Sequence, residues 1–462
     1  MVNATLEMLQ DDKIIDAIVA MVMHLQEQEN TALPLLEKQL KEMDNGIQNM
    51  LNTIHAGSYD WGASVEKMVL SLNTPIDEVS AGDFKVQTEK DNNVFMVGKV
   101  HQVEELKVLD AYLCDKDGNR TDKPSPYVAL EIEVRPDKAS PYLVSEKAMM
   151  NIYARPYTCN ITLTKEADWT SKGIEVTSFA IDPAAAAMTT DADVFALDAY
   201  TTSSGVTYDY AAYTPDQKSD TLVVWLHGLC EGKTLLKEGE ETDPYITCMS
   251  AEVTALAGEE FQSIIGGANI LVPQCPSYWM DADGKSSNTD GVVINADGTS
   301  YYTESLHEMI DAYKTQCGAE NVLIAGCSNG GYMGMVLATT YADEYDGYVL
   351  ICEAMPDQYL TDAQLTNIKD LPLYFVYAED DPVVDPSLHE EPTIARLRAM
   401  GASNLHVSVT DHVVDLSGQY KNADGTAHQY FGHNSWIYFF NNETSCTDCG
   451  ADAWHWMAEQ IR

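Results

Sequence analysis

A serine bracketed by glycines stands at Gly326-Cys327-Ser328-Asn329-Gly330-Gly331. An apolar run at 322–325 precedes it and another at 332–341 follows, so the pattern predicts a strand, a sharp turn and a helix. In that setting G-x-S-x-G pushes the serine hydroxyl out at a sheet edge, over the positive end of the helix. Glycine on either side lets neighbouring backbone pass without a Cβ clash. A hydroxyl placed this way is a candidate nucleophile, and it needs a base and an acid that orients the base. An incidental serine in a glycine-rich turn is the plainer alternative. The agreement of motif and position favours the nucleophile.

The expected chain order is serine, acid, histidine. A strand-like run at 373–377 ends in Ala378-Glu379-Asp380-Asp381-Pro382-Val383-Val384. Asp380 and Asp381 compete for the acid, and the D-P-V-V continuation favours Asp381. His406 lies within a strand and reads as a packing residue. His412 and His428 fall at surface positions, and His455 falls in a terminal helix. His433, in Gly432-His433-Asn434-Ser435-Trp436, occupies a loop before an aromatic helix start and ranks first as the base, with His412 second. An oxyanion needs two donors. The backbone N–H of Asn329 is one. The loop His227-Gly228-Leu229-Cys230-Glu231-Gly232, after an apolar run at 222–226, offers the N–H of Leu229 as the other. His227 then holds the loop by its side chain, and Glu231 is an anchor for which a substrate-facing role stays open. Tyr278, Trp279, Tyr332 and Trp436 are candidates to line a substrate pocket, although packing explains large aromatics equally well. Trp436, three residues from the base, has the best claim.

These residues need elements to hold them. From 196 to 462 strand-like runs (208–213, 222–226, 269–273, 322–325, 348–352, 373–377, 405–409) alternate with helical ones (305–316, 331–341, 393–400, 453–461). Such alternation predicts an α/β fold, a doubly wound, mostly parallel sheet covered on both faces, with ligands at the carboxyl ends of its strands. Residues 74–195 carry β patterning and turn signals without a long helix, which suits a small immunoglobulin-like β-sandwich. Residues 57–73 read as a linker with a short amphipathic stretch. In residues 1–56, Leu33, Leu36, Leu40, Met43, Ile47, Met50 and Ile54 form a heptad seam, and Ile14, Ile15, Ile18, Val22 and Leu25 form a second stripe, so a helical hairpin is expected.

The set W-L-H-G-L-C-E-G, G-C-S-N-G-G, E-D-D-P-V-V and G-H-N-S-W resembles the α/β-hydrolase superfamily, within it bacterial esterases related to prolyl-oligopeptidase-like "predicted peptidases". Members often carry an N-terminal immunoglobulin-like domain, which matches residues 74–195. The resemblance covers about residues 74–462 and implies a serine hydrolase of carboxylic esters that needs neither cofactor nor metal. Its substrates would be short acyl or aryl esters, polysaccharide ester decorations among them. A serine peptidase is the alternative, although the β domain is too small for a gating propeller. A catalytically inactive surface-binding protein is the other. Leu229-Cys230 stands where the family often has small residues. Separately, the 33–52 segment resembles the coiled-coil tail of large serine recombinases. The recombinase catalytic domain and zinc-ribbon cysteines are absent, so no DNA binding is carried over, and a fusion scar that displaced the original N-terminus is expected.

Composition supports these limits. Lys and Arg number 27 against 72 Asp and Glu, a formal net charge of −45. Such a surface repels phosphate, which argues against nucleic acid and anionic membranes as partners. No apolar stretch is long enough to span a bilayer. Met1 to Gln10 lacks the features of a signal peptide, while the acidity and the β domain suggest an extracytoplasmic enzyme. Ten cysteines are too few for a disulfide scaffold. Cys446 and Cys449 form one C-x-x-C without a second pair at metal spacing, so a zinc site is not expected and a disulfide or two thiols remain open.

Overall fold

The computed structural model describes residues 51–461, apart from stretches at 95–97, 146–149, 155–157, 165–169, 172–173, 176–177, 182–186, 234–235, 237, 287–293 and 295. The helical hairpin and recombinase-like segment expected at the N-terminus lie outside the described residues up to position 50.

The N-terminal unit is built from β1 (Leu51–Tyr59), β2 (Gly62–Ile76), β3 (Phe84–Val94), β4 (Gly98–Leu106), β5 (Val108–Cys114), β6 (Ser125–Ile132), β7 (Tyr142–Val144), β8 (Asn151–Tyr153), β9 (Thr158–Leu163), β10 (Thr170–Ser171), β11 (Ile174–Glu175), β12 (Ser178–Ile181) and β13 (Ala187–Thr190). One sheet has the order β13-β1-β2-β6-β5 and the facing one β12-β9-β3-β4. Ile54, Met68, Leu70, Val128 and Leu130 from the first sheet and Val86, Cys159 and Ile161 from the second share one buried core. That is a sandwich, sealed by alternate residues of each strand.

Its start corrects the sequence reading. Residues 51–56, expected at the end of a helix, are strand β1, and most of the supposed linker at 57–73 is strand β2. The amphipathic stretch misled because it is short. Val65, Met68 and Leu72 step by a helical period, while Met68, Leu70 and Leu72 step by two, and pairing with β1 and β6 selects the second.

The second unit contains β14 (Ala196–Thr201), β15 (Thr207–Tyr213), β16 (Thr221–Leu226), β17 (Asn269–Gln274), β18 (Asn321–Cys327), β19 (Gly347–Ile351), β20 (Leu373–Ala378) and β21 (Leu405–Thr410). Its helices are α1 (Pro244–Ser250), α2 (Glu259–Ile265), α3 (Thr303–Cys317), α4 (Asn329–Thr340), α5 (Asp362–Ile368), α6 (Glu390–Ala399), α7 (Trp436–Phe440) and α8 (Ala453–Gln460). The strands form one sheet of order β14-β15-β17-β16-β18-β19-β20-β21. β14 and β15 run antiparallel, and the pairs from β17 to β21 are parallel. Every residue of β16 to β20 is buried, as a parallel sheet with two covered faces requires. Alternate residues serve two cores. Val223, Trp225 and Val349 join the core that continues into the sandwich, while Leu222, Val224 and Leu350 join the other. The two units therefore share apolar packing. No helix among the described residues is long and apolar enough to cross a membrane.

The turn between β1 and β2 is wedged into the second unit. Asp60 accepts hydrogen bonds from the Tyr430 hydroxyl at 3.0 Å and from Asn441 Nδ2 at 2.6 Å. Trp61 packs on a cluster of Ala378, Val413, Tyr430, Ile437 and Tyr438. Two further acids crowd this junction. Burial, then the Asp60 carboxylate, pushes the Glu252 carboxyl up to about 9, and burial pushes Glu443 up to about 7. Both keep their protons in the fold, whereas an unfolded glutamate loses its proton near 4.5. Stability present below that pH is therefore lost progressively as pH rises through about 7 and then about 9. Thermal denaturation followed over this range should show the wild-type midpoint falling and a Glu252→Gln protein with a visibly flatter profile. Equal slopes for the two proteins would refute the assignment.

Candidate active site

Ser328 sits between the last residue of β18 and the first of α4, with φ 55° and ψ −115°. A non-glycine residue at positive φ is strained and persists only where its surroundings impose it. Here they do. The Ser328 N–H donates to the Ile351 carbonyl at 2.8 Å, and its own carbonyl accepts from the Tyr332 N–H at 2.9 Å. A Cβ on Gly330 would lie 1.9 Å from the Leu226 oxygen, and one on Gly326 would lie 2.7 Å from the Gly330 oxygen. The two glycines let β16, β18 and α4 meet closely enough to pinch the serine outward.

His433 reaches this hydroxyl from the loop before α7. Its Nε2 lies 2.9 Å from Ser328 Oγ, and its Nδ1 lies 2.7 Å from Asp381 Oδ2. A carboxylate only accepts, so Nδ1 carries the hydrogen and Nε2 is free to accept from the serine. Asp381 is buried and is aimed by its own turn, its Oδ1 accepting the N–H groups of Val383 at 2.8 Å and Val384 at 3.0 Å. Trp436 presents itself edge-on to the His433 ring, with centroids 5.6 Å apart. The competing acid and the second-ranked histidine pair with each other instead, His412 Nδ1 lying 2.7 Å from Asp380 Oδ2 on the exposed side. Gly432 is needed where the loop passes this pair, since a Cβ there would lie 2.4 Å from Asp380 Oδ1.

The two candidate oxyanion donors lie on two helix starts. Leu229 opens the short 3₁₀ helix Leu229–Glu231 and Asn329 opens α4, so neither N–H has an intrahelical acceptor. The loop carrying Leu229 is braced from within. His227 is fully buried, its Nδ1 2.6 Å from the Gly228 carbonyl and its Nε2 accepting from the Cys275 N–H at 2.9 Å. That pattern needs a neutral ring, and burial holds its pKa down to about 4. Glu231 Oε2 accepts the Gly228 N–H at 3.0 Å, and burial pushes this carboxyl up to about 7. Glu231 thus turns into the loop as an anchor, and the substrate-facing option is set aside. Met150, from the sandwich, packs with Tyr278 and the Leu229 side chain beneath the loop.

Two further sequence candidates are relocated. Tyr332 is fully buried, its hydroxyl donating to the Thr299 carbonyl at 2.8 Å and accepting the Gly298 N–H at 3.0 Å, so it fixes a loop rather than lining a pocket. Trp279 is buried as well. Its backbone N–H donates to Asn329 Oδ1 at 2.7 Å and its indole N–H donates to the His227 carbonyl at 3.1 Å. It ties together the two segments that carry the candidate donors. The sequence reading had it only as a pocket or packing aromatic, because nothing local pairs position 279 with 227 or 329. Cys352 was missed. One ligand atom each from Cys352, Asp381 and His433 lie within 4.8 Å of one another, and burial holds the thiol neutral, well above its usual pKa.

Known families match this architecture in two consecutive stretches. Residues 53–202 match the esterase Ig-like N-terminal domain, and residues 210–412 match the phospholipase/carboxylesterase family. His433 falls beyond the second match. No curated protein matches the chain. Among solved structures, a thermostable esterase is similar at 18% identity and a TM-score of 0.63, over 85% of this chain and 96% of its own. A ferulic acid esterase is similar over 47% of this chain and 89% of its own, at 12% identity and a TM-score of 0.35. An esterase of Pyrococcus furiosus is similar over 48% and 85%, at 16% identity and a TM-score of 0.33. With both domain families matched in order, the chain belongs to the α/β-hydrolase superfamily, as a carboxylic ester hydrolase with an N-terminal immunoglobulin-like domain.

Proposed function

We propose that this enzyme cleaves esters with short acyl or aryl groups, polysaccharide-linked esters among them, through a covalent acyl-enzyme on Ser328. The observation that carries the proposal is the unbroken line from the Ser328 hydroxyl through His433 to the buried Asp381, at 2.9 Å and 2.7 Å. His433 Nε2 takes the hydroxyl proton as Oγ attacks the ester carbonyl. Negative charge then develops on the carbonyl oxygen, and the N–H groups of Leu229 and Asn329 stabilise it. The imidazolium, steadied by Asp381, passes its proton to the departing alcohol. Water repeats the sequence on the acyl-enzyme, returning the proton to Ser328 and releasing the acid. Trp436 beside the base is the residue best placed to wall the substrate.

A panel of acetyl, butyryl and feruloyl esters and a peptide substrate tests this directly. Hydrolysis of the esters by the wild type, with Ser328→Ala reduced by about 10⁶-fold, is the expected result. Cleavage of the peptide alone would overturn it in favour of a peptidase, and no turnover at all in favour of an inactive binding protein. The choice of acid has its own outcome. Asp381→Asn should lower kcat by about 10³- to 10⁴-fold, whereas Asp380→Asn should stay within about twofold. Equal losses would reject Asp381 as the orienting acid.

The brace under the oxyanion loop predicts a different signature. Glu231→Ala leaves the Gly228 N–H unpaired, a cost of about 1–3 kcal/mol that loosens the donor at Leu229. It should reduce kcat by about tenfold to a hundredfold with little change in KM, and Glu231→Gln should recover part of the loss. A pure KM effect would instead place Glu231 against substrate.

A further inference from the structure

The C-terminal turn Cys446-Thr447-Asp448-Cys449-Gly450 offers two thiols without a second pair nearby in the chain. The fold supplies a third group from far back in the sequence. His406, near the start of edge strand β21, is brought to the turn so that one ligand atom each from His406, Cys446 and Cys449 lie within 4.8 Å of one another. Both thiols are free.

The turn is anchored on its support. The Thr447 N–H and hydroxyl donate to the Val407 carbonyl at 2.8 Å and 3.0 Å, and the Ser445 N–H donates to Ser408 Oγ at 3.0 Å. The turn also closes on itself. The Cys446 N–H donates to the Ala451 carbonyl at 2.8 Å, and the Gly450 N–H donates to the Cys446 carbonyl at 2.7 Å. Gly450 has φ +76°, a left-handed turn that a side chain would strain. The His406 ring is held between Tyr374 and Trp456, each 5.8 Å away, and its Nδ1 is buried with no partner among the described residues.

We propose that His406, Cys446 and Cys449 form a Zn²⁺ site, with the fourth position taken by water. Two thiolates and one imidazole are a donor set that suits zinc. A tetrahedral zinc places its sulfurs about 3.8 Å apart and sulfur and nitrogen about 3.5 Å apart, so closure takes roughly 1 Å of side-chain movement. Binding forms two Zn–S bonds and one Zn–N bond, and the two thiol protons pass to solvent. Cys449 is exposed and gives the ion its way in. The site stands apart from the candidate active site. Tyr374 pairs with His406 and Ala378 with Thr410, so the cluster lies about four residues, roughly 13 Å, back along the sheet from the strand end that leads to Asp381. It clips the segment before α8 to the open edge of the sheet.

The test is anaerobic titration of the reduced, metal-free, full-length protein with Co²⁺ and then Zn²⁺. The expected result is one ion per chain, with a thiolate-to-cobalt charge-transfer band and the intense visible bands of tetrahedral cobalt. Zn²⁺ should displace the cobalt, shield both thiols from iodoacetamide and raise the thermal midpoint. Cys449→Ser and His406→Gln, each folded by circular dichroism, should each weaken cobalt binding by about tenfold or more and leave ester turnover within about twofold. Absence of the band while both thiols alkylate freely would overturn the proposal. So would cobalt uptake that survives both substitutions.

Discussion

The Leu226 oxygen occupies the place where any side chain at position 330 would put its first carbon, 1.9 Å away. This contact of bare backbone lets α4 start directly beside β16 and β18, and it holds Ser328 at φ 55° with its hydroxyl outside the sheet. The rest of the site is arranged around that position. The N–H of Asn329 points from the helix start created by the same turn, and the loop after Leu226 is necessarily its neighbour. The strain at Ser328 is sustained by the ladder on both sides, through the hydrogen bond to Ile351 and the packing of two all-buried strands.

Around this turn the protein keeps several ionisable groups neutral by burying them. His227 is held unprotonated, and the thiols of Cys327 and Cys352 are held protonated. Glu353 and Glu390, both fully buried near the end of β19, are pushed well above the usual carboxylate range, burial being the main cause. A low-dielectric surrounding of uncharged groups leaves the His433–Asp381 pair with little competing charge nearby. It also strengthens any hydrogen bond that the Leu229 and Asn329 N–H groups make to a developing oxyanion.

The immunoglobulin-like domain touches both halves of this arrangement. Met150 packs with Leu229 in the loop after β16. Asp60 and Trp61 grip the segment between Val413 and Asn441 on the histidine side. Because His433 is carried on a loop rather than a strand, its reach to Ser328 depends on what that loop is pressed against. The sandwich supplies part of that backing, through a core continuous with one face of the hydrolase sheet.

The sequence by itself was enough to single out Ser328, Asp381 and His433, which the fold brings within hydrogen-bond distance, because strand, turn and helix signals are local and the glycines that permit the turn flank the serine two residues away on either side. The hydrolase strands were legible for the same reason, as fully buried strands are apolar throughout. Only the tertiary structure decided that Asp380 and His412 pair off beside the site, that Tyr332, Trp279 and Glu231 brace loops, and that the supposed linker is a strand of the sandwich. It alone carried His406 to Cys446 and Cys449. Each of these depends on which distant segment supplies a partner for a buried polar group or an unpaired strand, and spacing along the chain does not encode that choice.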